Sequence, residues 1–341
     1  MKQHWLRVLA AVIAACSISA AAPLAAQTAP ATAPPPVPLR LIAFAGGWNL
    51  PLWVAQRQGF FEQEGLAVQL AFTPTSGFLV EGLMAGRHDI GLASIDNLVA
   101  YQEGQGDRTF ADPDLFAFMG VDNGFLSVVA AAPLKTVGDL RGARIAVDSP
   151  NTGFAFVLRE LLQRSGIGDA DVTLVRGGAT EIRFRDLLAG RFEATLLRTP
   201  FDIVAAERGF NIVATADALG PYLGTSGMAR RSWARSNDAA LLGFLRAYRA
   251  SMHWLADPAH RDVAEALLVA NLRDMTPKLA KAAAERLLAE RGGLLRELEI
   301  DPAALRTVLA LRTKFGEPKK ALGDVDRYID LSWRARALAT P

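Results

Sequence analysis

Short apolar blocks recur along this chain, and their spacing predicts strands and helices in alternation. Residues 39–44 form an apolar run of strand length, and a glycine-bearing polar turn separates this run from a helix-period segment that ends near Gln58. Residues 67–72 have the alternation of a strand, and the loop after them begins a helix that extends to Met84. Strands that alternate with helices predict an α/β fold.

The block at residues 144–154 has the same order of elements. Apolar residues 145–147 predict a buried strand, and Phe154 begins the apolar face of a helix. A polar turn lies between them, where the unpaired N–H groups and positive dipole end of a helix can hold an anion or a polar ligand. An ordinary helix cap explains the same turn, and this segment alone favours the cap. The turn residues concerned are Ser149, Asn151, Thr152 and Gly153.

An internal repeat strengthens the ligand-site interpretation. A shift of 104 residues aligns residues 68–96 with residues 172–200 without a gap, and seven positions are identical. Each copy has the order strand, polar loop, helix, Ala-Gly-Arg turn and strand, which predicts two similar lobes. Ser94 and Asp96 in one copy and Arg198 in the other lie at the end of the last strand. Ligands of open α/β sheets bind outside the carboxyl ends of strands, so we expect one cleft there.

The strand order also predicts where the chain crosses between the lobes. Strands at 115–119 and 126–131 flank a turn, and a return crossing is expected at 223–228, where two glycines permit backbone rotation. We expect the first lobe at 39–125, the second at 126–227, and the return to the first lobe with its C-terminal helices at 228–341. The helices are predicted at residues 238–254, 259–271, 277–290, 302–315 and from 318 to the end, packed on the first lobe.

The first 26 residues have the features of an export signal. Lys2 and Arg7 precede an apolar stretch that is too short for a stable membrane anchor, and a small-residue cleavage zone follows. Residues 27–38 are rich in proline and predict an extended tether. Cys16, the only cysteine, is also compatible with the lipid anchor of a bacterial lipoprotein; we expect simple cleavage and a periplasmic protein.

Composition excludes several kinds of chemistry. The chain has 341 residues, and its 51% hydrophobic content is enough for well-buried cores. Cleavage after Ala26 leaves 35 basic and 35 acidic residues and no thiol, so we expect no nucleic-acid binding, disulfide or cysteine nucleophile. The four histidines do not pair at metal-ligand spacing, so we expect neither a metal nor a cofactor.

Six short segments occur in a recognisable order. They are residues 50–55, 59–61, 64–66, 83–87, 139–142 and 144–154. Together with the export signal, they resemble periplasmic solute-binding proteins of the nitrate/sulfonate/taurine type, which are related to thiamine-precursor-binding proteins. The resemblance covers about residues 38–335. It implies a two-lobed type II periplasmic binding protein fold with mixed sheets and two hinge strands, whose lobes close around a small ligand.

Carried over by position, this resemblance implies ligand-binding residues in both lobes. From the first lobe and the crossing they are Gly46, Gly47, Trp48, Asn49, Thr75, Ser76, Ser94, Asp96 and Asp122. From the second lobe they are Ser149, Asn151, Thr152, Gly153 and Arg198. Trp48 is equally compatible with core packing, and Asp96 with capping of the helix that follows it.

Arg198 is the most discriminating of these residues, because it ends an apolar strand where a charge needs a partner. Pairing with Asp202 or Asp148 is one explanation. Gripping a ligand carboxylate or sulfonate is the other, and we expect this ligand role. Asp148 and Asp122 would then orient Arg198 or recognise an amino group of the ligand.

These features predict a monomeric binding protein and not an enzyme. We expect it to bind a small anionic organic solute, such as a sulfonate or carboxylate, and to deliver it to the membrane permease of an ABC importer. A pyrimidine-type thiamine precursor is the alternative ligand, and a bilobal enzyme or a sensory partner is the alternative class. No Ser/His/Asp order or carboxylate pair is readable in the sequence, which disfavours the enzyme.

Overall fold

The computed structural model describes residues 35–339. The predicted signal peptide, Cys16 and most of the predicted tether lie outside the described residues. The sequence predicts a tether up to residue 38, whereas the first strand already begins at Val37. The reason is that the Val37 N–H donates to Gly65 O at 2.7 Å, so pairing with the next strand starts before the apolar run. No helix within residues 35–339 is long and apolar enough to cross a membrane.

The described residues form two α/β lobes followed by further helices. The first lobe begins with β1 (Val37–Ala43), α1 (Leu50–Gln58), α2 (Phe60–Gln63), β2 (Leu66–Phe72), α3 (Ser76–Met84), β3 (Ile90–Ser94), α4 (Ile95–Gln102) and β4 (Leu115–Gly120). The second lobe contains β5 (Leu126–Ala130), β6 (Arg144–Val147), α5 (Gly153–Arg164), β7 (Thr173–Arg176), α6 (Thr180–Leu188), β8 (Ala194–Arg198), α7 (Phe201–Glu207) and β9 (Asn211–Thr215). The remainder comprises β10 (Thr225–Arg230), α8 (Arg231–Ser236), α9 (Asp238–Ala256), α10 (Arg261–Asn271), α11 (Pro277–Leu287), α12 (Pro302–Phe315) and α13 (Ser332–Ala339).

Each lobe is built on a five-stranded mixed sheet. The strand orders are β2-β1-β3-β10-β4 and β7-β6-β8-β5-β9. In each sheet the first three strands of this order are parallel to one another. The fourth strand, β10 in one sheet and β5 in the other, runs antiparallel to them because it belongs to a chain crossing. The predicted α/β fold with two mixed sheets is confirmed. The repeat corresponds to real elements, since a shift of 104 residues carries the bounds of α3 onto α6 and those of β3 onto β8.

The two chain crossings lie side by side between the lobes. Gly224 N–H donates to Asp122 O at 2.9 Å, which joins the return crossing to the outgoing one. A Cβ on Gly224 would lie 2.3 Å from the Gly124 nitrogen, so a glycine is required for this close approach. The lobes are therefore connected by two segments that are hydrogen-bonded to each other.

The C-terminal helices contact both lobes, whereas the sequence predicts that they pack on the first lobe. Helix α9 contacts α1, α2 and β2 of the first lobe, whereas α11 contacts α7, and α12 contacts both α4 and α5. Residues 316–331 form no helix, contrary to the helix predicted from residue 318, and α13 begins only at Ser332. Gly316, Pro318 and Gly323 disfavour helix in this segment, and Gln105 holds it in place by donating to Pro318 O at 2.7 Å.

Candidate ligand-binding site

A cavity lies between the lobes at the carboxyl ends of four parallel strands. Phe44 follows β1, Ser94 ends β3, Asp148 follows β6 and Arg198 ends β8, and all four line the cavity. This is the edge at which open α/β sheets hold their ligands. The lining residues are Phe44, Trp48, Ser76, Ser94, Asn97, Val147, Asp148, Thr152, Gly153, Phe154, Ala155, Thr180, Arg183, Leu196 and Arg198.

Four helices begin at this cavity. Ser76, Gly153 and Thr180 are the first residues of α3, α5 and α6, and Ser94 directly precedes α4. The starts of α4, α5 and α6 receive no side-chain cap. In α4 the Ile95 N–H donates to Gly224 O at 3.0 Å, whereas the first-turn N–H groups of α5 and α6 are available to a ligand. Each helix start carries about half a positive elementary charge. The cavity is therefore suited to an anion.

Arg183 adds a full positive charge to the same wall. Its side chain is almost completely buried, with 3% of the residue exposed. Its guanidinium donates only to uncharged oxygens, those of Gly178, Thr180, Thr195 and Leu196. Among residues 35–339 it has no carboxylate in ion-pair contact. Burial lowers the pKa of Arg183 to about 10, and the negative charge of Asp148 partly opposes this shift. A buried cation without a paired carboxylate would be stabilised by a bound anion.

Asp148 is the acidic group of the cavity, and it bridges the two lobes. One carboxylate oxygen, Oδ2, accepts hydrogen bonds from the Ser76 backbone N–H at 3.0 Å and from the Ser76 hydroxyl at 2.5 Å. The other oxygen, Oδ1, has no hydrogen-bond partner among the described residues. The side chain therefore caps α3 of the opposite lobe while keeping one oxygen free.

Aromatic rings form another wall of the cavity. Trp48 is only 1% exposed, yet it lines the cavity beside Phe44 and Phe154. It is therefore a buried core residue and a part of the cavity wall at the same time. Its Nε1 donates to Phe44 O at 3.2 Å. A Cβ on Gly46 would lie 2.1 Å from the Trp48 ring, which explains why a glycine precedes the tryptophan. The ring also carries the Arg198 guanidinium 3.9 Å above its centroid, a favourable cation–π geometry.

Arg198 lines the cavity, but its nitrogens are engaged by the chain crossings. Nη2 donates to Asp122 Oδ2 at 2.6 Å, Nε to Gly124 O at 2.8 Å, and Nη1 to Thr225 Oγ1 at 3.0 Å. The charge of Arg198, which the sequence assigns to a ligand carboxylate, is thus compensated by Asp122. Asp122 is fully buried and does not line the cavity. Arg198 positions Trp48 and ties the crossings together.

Asp96 lies outside the cavity lining and forms a buried ion pair. Arg312 Nε and Nη2 donate to its two carboxylate oxygens, each at 2.5 Å, and neither side chain is exposed. Arg312 Nη2 also donates to Asn151 O in the second lobe at 2.8 Å. Asp96 does not cap the helix either, because α4 begins at Ile95 and makes no side-chain cap. In the structure Asp96 therefore pairs with Arg312, and it neither caps α4 nor lines the cavity.

The other predicted site residues divide into lining and supporting positions. Trp48, Ser76, Ser94, Thr152, Gly153 and Arg198 line the cavity, whereas Gly46, Gly47, Asn49, Thr75, Asp96, Asp122, Ser149 and Asn151 do not. Thr75 caps α3, and Asn49 donates to Phe44 O at 2.7 Å, which holds the turn before α1. Ser149 donates to Asp107 of the first lobe at 2.9 Å. These three residues support the wall and the lobe contact without lining the cavity.

A family is established by comparison with known proteins. The family described as NMT1/THI5 like matches residues 49–260, well over half of the chain. The chain belongs to this family. A comparison with curated proteins finds no match.

Solved structures resemble this NMT1/THI5-like protein over most of its length. The periplasmic nitrate-binding protein NrtA from Synechocystis PCC 6803 is 15% identical with a TM-score of 0.71, and the alignment covers 91% of each chain. The alkanesulfonate-binding protein SsuA from Xanthomonas axonopodis pv. citri, bound to MOPS, is 19% identical with a TM-score of 0.67, covering 83% of this chain and 93% of that one. The desulfurization enzyme DSZB is 15% identical with a TM-score of 0.60, covering 88% and 99%. These likenesses establish a shared fold.

Several lining residues of this NMT1/THI5-like protein are not among those predicted from the sequence. They are Phe44, Asn97, Val147, Asp148, Phe154, Ala155, Thr180, Arg183 and Leu196, of which Asp148 is predicted only as a partner of Arg198. The repeat contains a signal for Arg183, because the 104-residue shift places it opposite Leu79. Leu79 is fully buried, so a core position of one lobe is occupied by a charge in the other. Such a charge at a core position indicates a site.

Gly153 provides a direct test of how tightly the lobes meet. A Cβ at this position would lie 2.4 Å from Asp96 Cγ, and Asp96 cannot retreat because Arg312 holds it. We expect Gly153→Ala to lower the free energy of unfolding by about 1–3 kcal/mol in denaturant titration, and to enlarge the particle in small-angle scattering. Gly138→Ala is the matched control, since its Cβ would meet only Thr136 Oγ1 at 3.5 Å. Equal stability of both variants would contradict the predicted clash.

Proposed function

We propose that this protein is exported to the periplasm, binds a small anionic organic solute between its lobes, and delivers the solute to the permease of an ABC importer. The anionic class is supported above all by Arg183, a buried guanidinium at the cavity wall that has no carboxylate partner among residues 35–339. The starts of α3, α4, α5 and α6 add partial positive charge around the same space. The described cavity lining contains no histidine or cysteine, which favours binding over nucleophilic catalysis.

Closure about the paired crossings is supported by contacts that only facing lobes can make. Asp148 of the second lobe accepts from Ser76 of the first. In the reverse direction, Asp107 of the first lobe accepts from Ser149 and from Arg176 Nη1, the latter at 3.1 Å. A hinge at the crossings would separate these partners and open the cavity to a solute.

The structural neighbours support this choice of solute without deciding it. SsuA and NrtA are named for an alkanesulfonate and nitrate, both of which are anions. DSZB is named as an enzyme, so the fold alone is compatible with catalysis. We favour transport because the site provides anion-binding groups, and because residues 1–26 have the pattern of an export signal.

A ligand screen tests this proposal. The exported protein would be unfolded and refolded to remove bound solute, and its thermal stability measured with sulfonates, carboxylates, nitrate and pyrimidines. At a concentration one hundred times the dissociation constant, a true ligand stabilises the folded state by about 2.7 kcal/mol. We expect at least one organic anion to do so. Stabilisation by a pyrimidine alone would overturn the anionic class, and a catalysed change in a bound compound, detected by mass spectrometry, would overturn the binding-protein assignment.

A further inference from the structure

We infer that Asp148 makes the cavity selective for ligand charge, so that it admits a solute of at most one net negative charge and rejects dianions. This inference rests on the proposed function and specifies the class of solute. Its starting point is the position of Asp148, which lines the same cavity as Arg183 and is the acidic group that acts on the Arg183 charge.

The charges that surround the cavity nearly cancel before any ligand binds. The lining contains three charged side chains, Asp148, Arg183 and Arg198. Arg198 is neutralised by its 2.6 Å contact with the buried Asp122. One positive charge on Arg183 and one negative charge on Asp148 remain. The helix starts contribute only partial positive charge, so they can balance one ligand charge more readily than two.

The rim of the cleft does not change this balance. Arg176, which is exposed, pairs with Asp107 at 3.1 Å, so these two charges offset each other. A dianion would therefore bring a second negative charge towards the Asp148 carboxylate without a further cation to meet it. Repulsion between like charges in a closed, low-dielectric space excludes such a ligand.

The charge of Asp148 can be removed while its hydrogen bonds to Ser76 are kept. Both Ser76 donors converge on the single oxygen Oδ2, and Oδ1 has no partner among the described residues. Asparagine can place its one carbonyl oxygen at the Oδ2 position and turn its amide group to the free side. Asp148→Asn therefore preserves the contact between the lobes and removes one negative charge.

Methanesulfonate and sulfate are suitable probes, because they share a tetrahedral sulfur–oxygen group and differ by one charge. We would measure both dissociation constants by calorimetry at constant ionic strength, for the full exported chain and for Asp148→Asn. The natural protein should bind methanesulfonate at least tenfold more tightly than sulfate. Asp148→Asn should reduce this ratio at least tenfold, mainly through tighter sulfate binding.

Asp169→Asn is the matched control. It also removes one carboxylate charge from the second lobe, but Asp169 is exposed and does not line the cavity, so the ratio should stay as in the natural protein. An unchanged ratio in Asp148→Asn, or equal binding of both probes by the natural protein, would overturn the inference alone. Failure of the natural protein to bind methanesulfonate or any other anion of the ligand screen would overturn the proposed function and the inference with it.

Discussion

Replacing Arg183 with methionine is expected to abolish most of the affinity for the anionic solute. Loss of a buried, hydrogen-bonded charge from a binding site costs about 2–5 kcal/mol, which corresponds to a roughly 30- to 4,000-fold weaker dissociation constant. Methionine is unbranched and uncharged, so it fills the space that the aliphatic part of the Arg183 side chain occupies between α6 and β8. Calorimetry with the strongest ligand of the screen measures the change.

Arg185 supplies the matched control for this experiment. It lies on the same helix two residues further on, and its side chain is exposed to solvent. Arg185→Met should leave the dissociation constant within about a factor of two, since exposed charges interact weakly with a buried ligand. If Arg183→Met and Arg185→Met bind the solute equally well, Arg183 is not the anion-binding group.

The stability of Arg183→Met separates a binding defect from a folding defect. Methionine leaves the acceptors on Gly178 and Leu196 without their donor, which destabilises by about 1–3 kcal/mol. Removing an uncompensated buried charge acts in the opposite direction. We therefore expect a folded variant with a modest shift in its denaturation midpoint, measured without ligand.

Removing the Asp96 carboxylate is expected to have the largest effect on stability. Asp96→Ala leaves Arg312 fully buried without the only acidic partner that it has among the described residues, and breaking such a pair from one side costs about 3–5 kcal/mol. The loss also frees α12 from its position between α4 and α5, because Arg312 links Asp96 to Asn151 O. Denaturant titration followed by circular dichroism measures the free energy of unfolding.

The ion pair of Lys278 with Glu207 is a suitable comparison for Asp96→Ala. Its N–O distance is 2.7 Å, but both side chains are more than half exposed. Glu207→Ala should therefore change the free energy of unfolding by no more than about 1 kcal/mol. A similarly small change for Asp96→Ala would show that the buried pair contributes little beyond an exposed one.

Local patterns predict much of this fold because they act over short distances. The apolar blocks and glycine turns place α1, α3 and most strands close to their observed bounds, and the 104-residue repeat identifies the matching helix and strand of the two lobes. The same patterns locate the ends of β3 and β8, where Ser94 and Arg198 do line the cavity. The failure at residues 316–331 has a local cause as well, since glycine and proline in that segment outweigh its apolar residues.

Local sequence patterns do not establish which charged side chains pair with each other in the folded protein. Asp96 and Arg312 are 216 residues apart, and the sequence offers no sign that these partners meet. Asp122, 76 residues from Arg198, is expected from the sequence only as one of two carboxylates that could orient Arg198, and it is the one that pairs with Arg198 in the structure. The sequence alone determined the α/β lobes, their repeat and the strand ends that face the cleft, because periodicity and turn residues specify local structure. Only the tertiary structure decided which charges remain for a ligand. Arg198 and Asp96 pair with distant partners, and Arg183 has no carboxylate partner within the part of the chain that the structure describes, because packing of remote segments determines which buried ions are compensated.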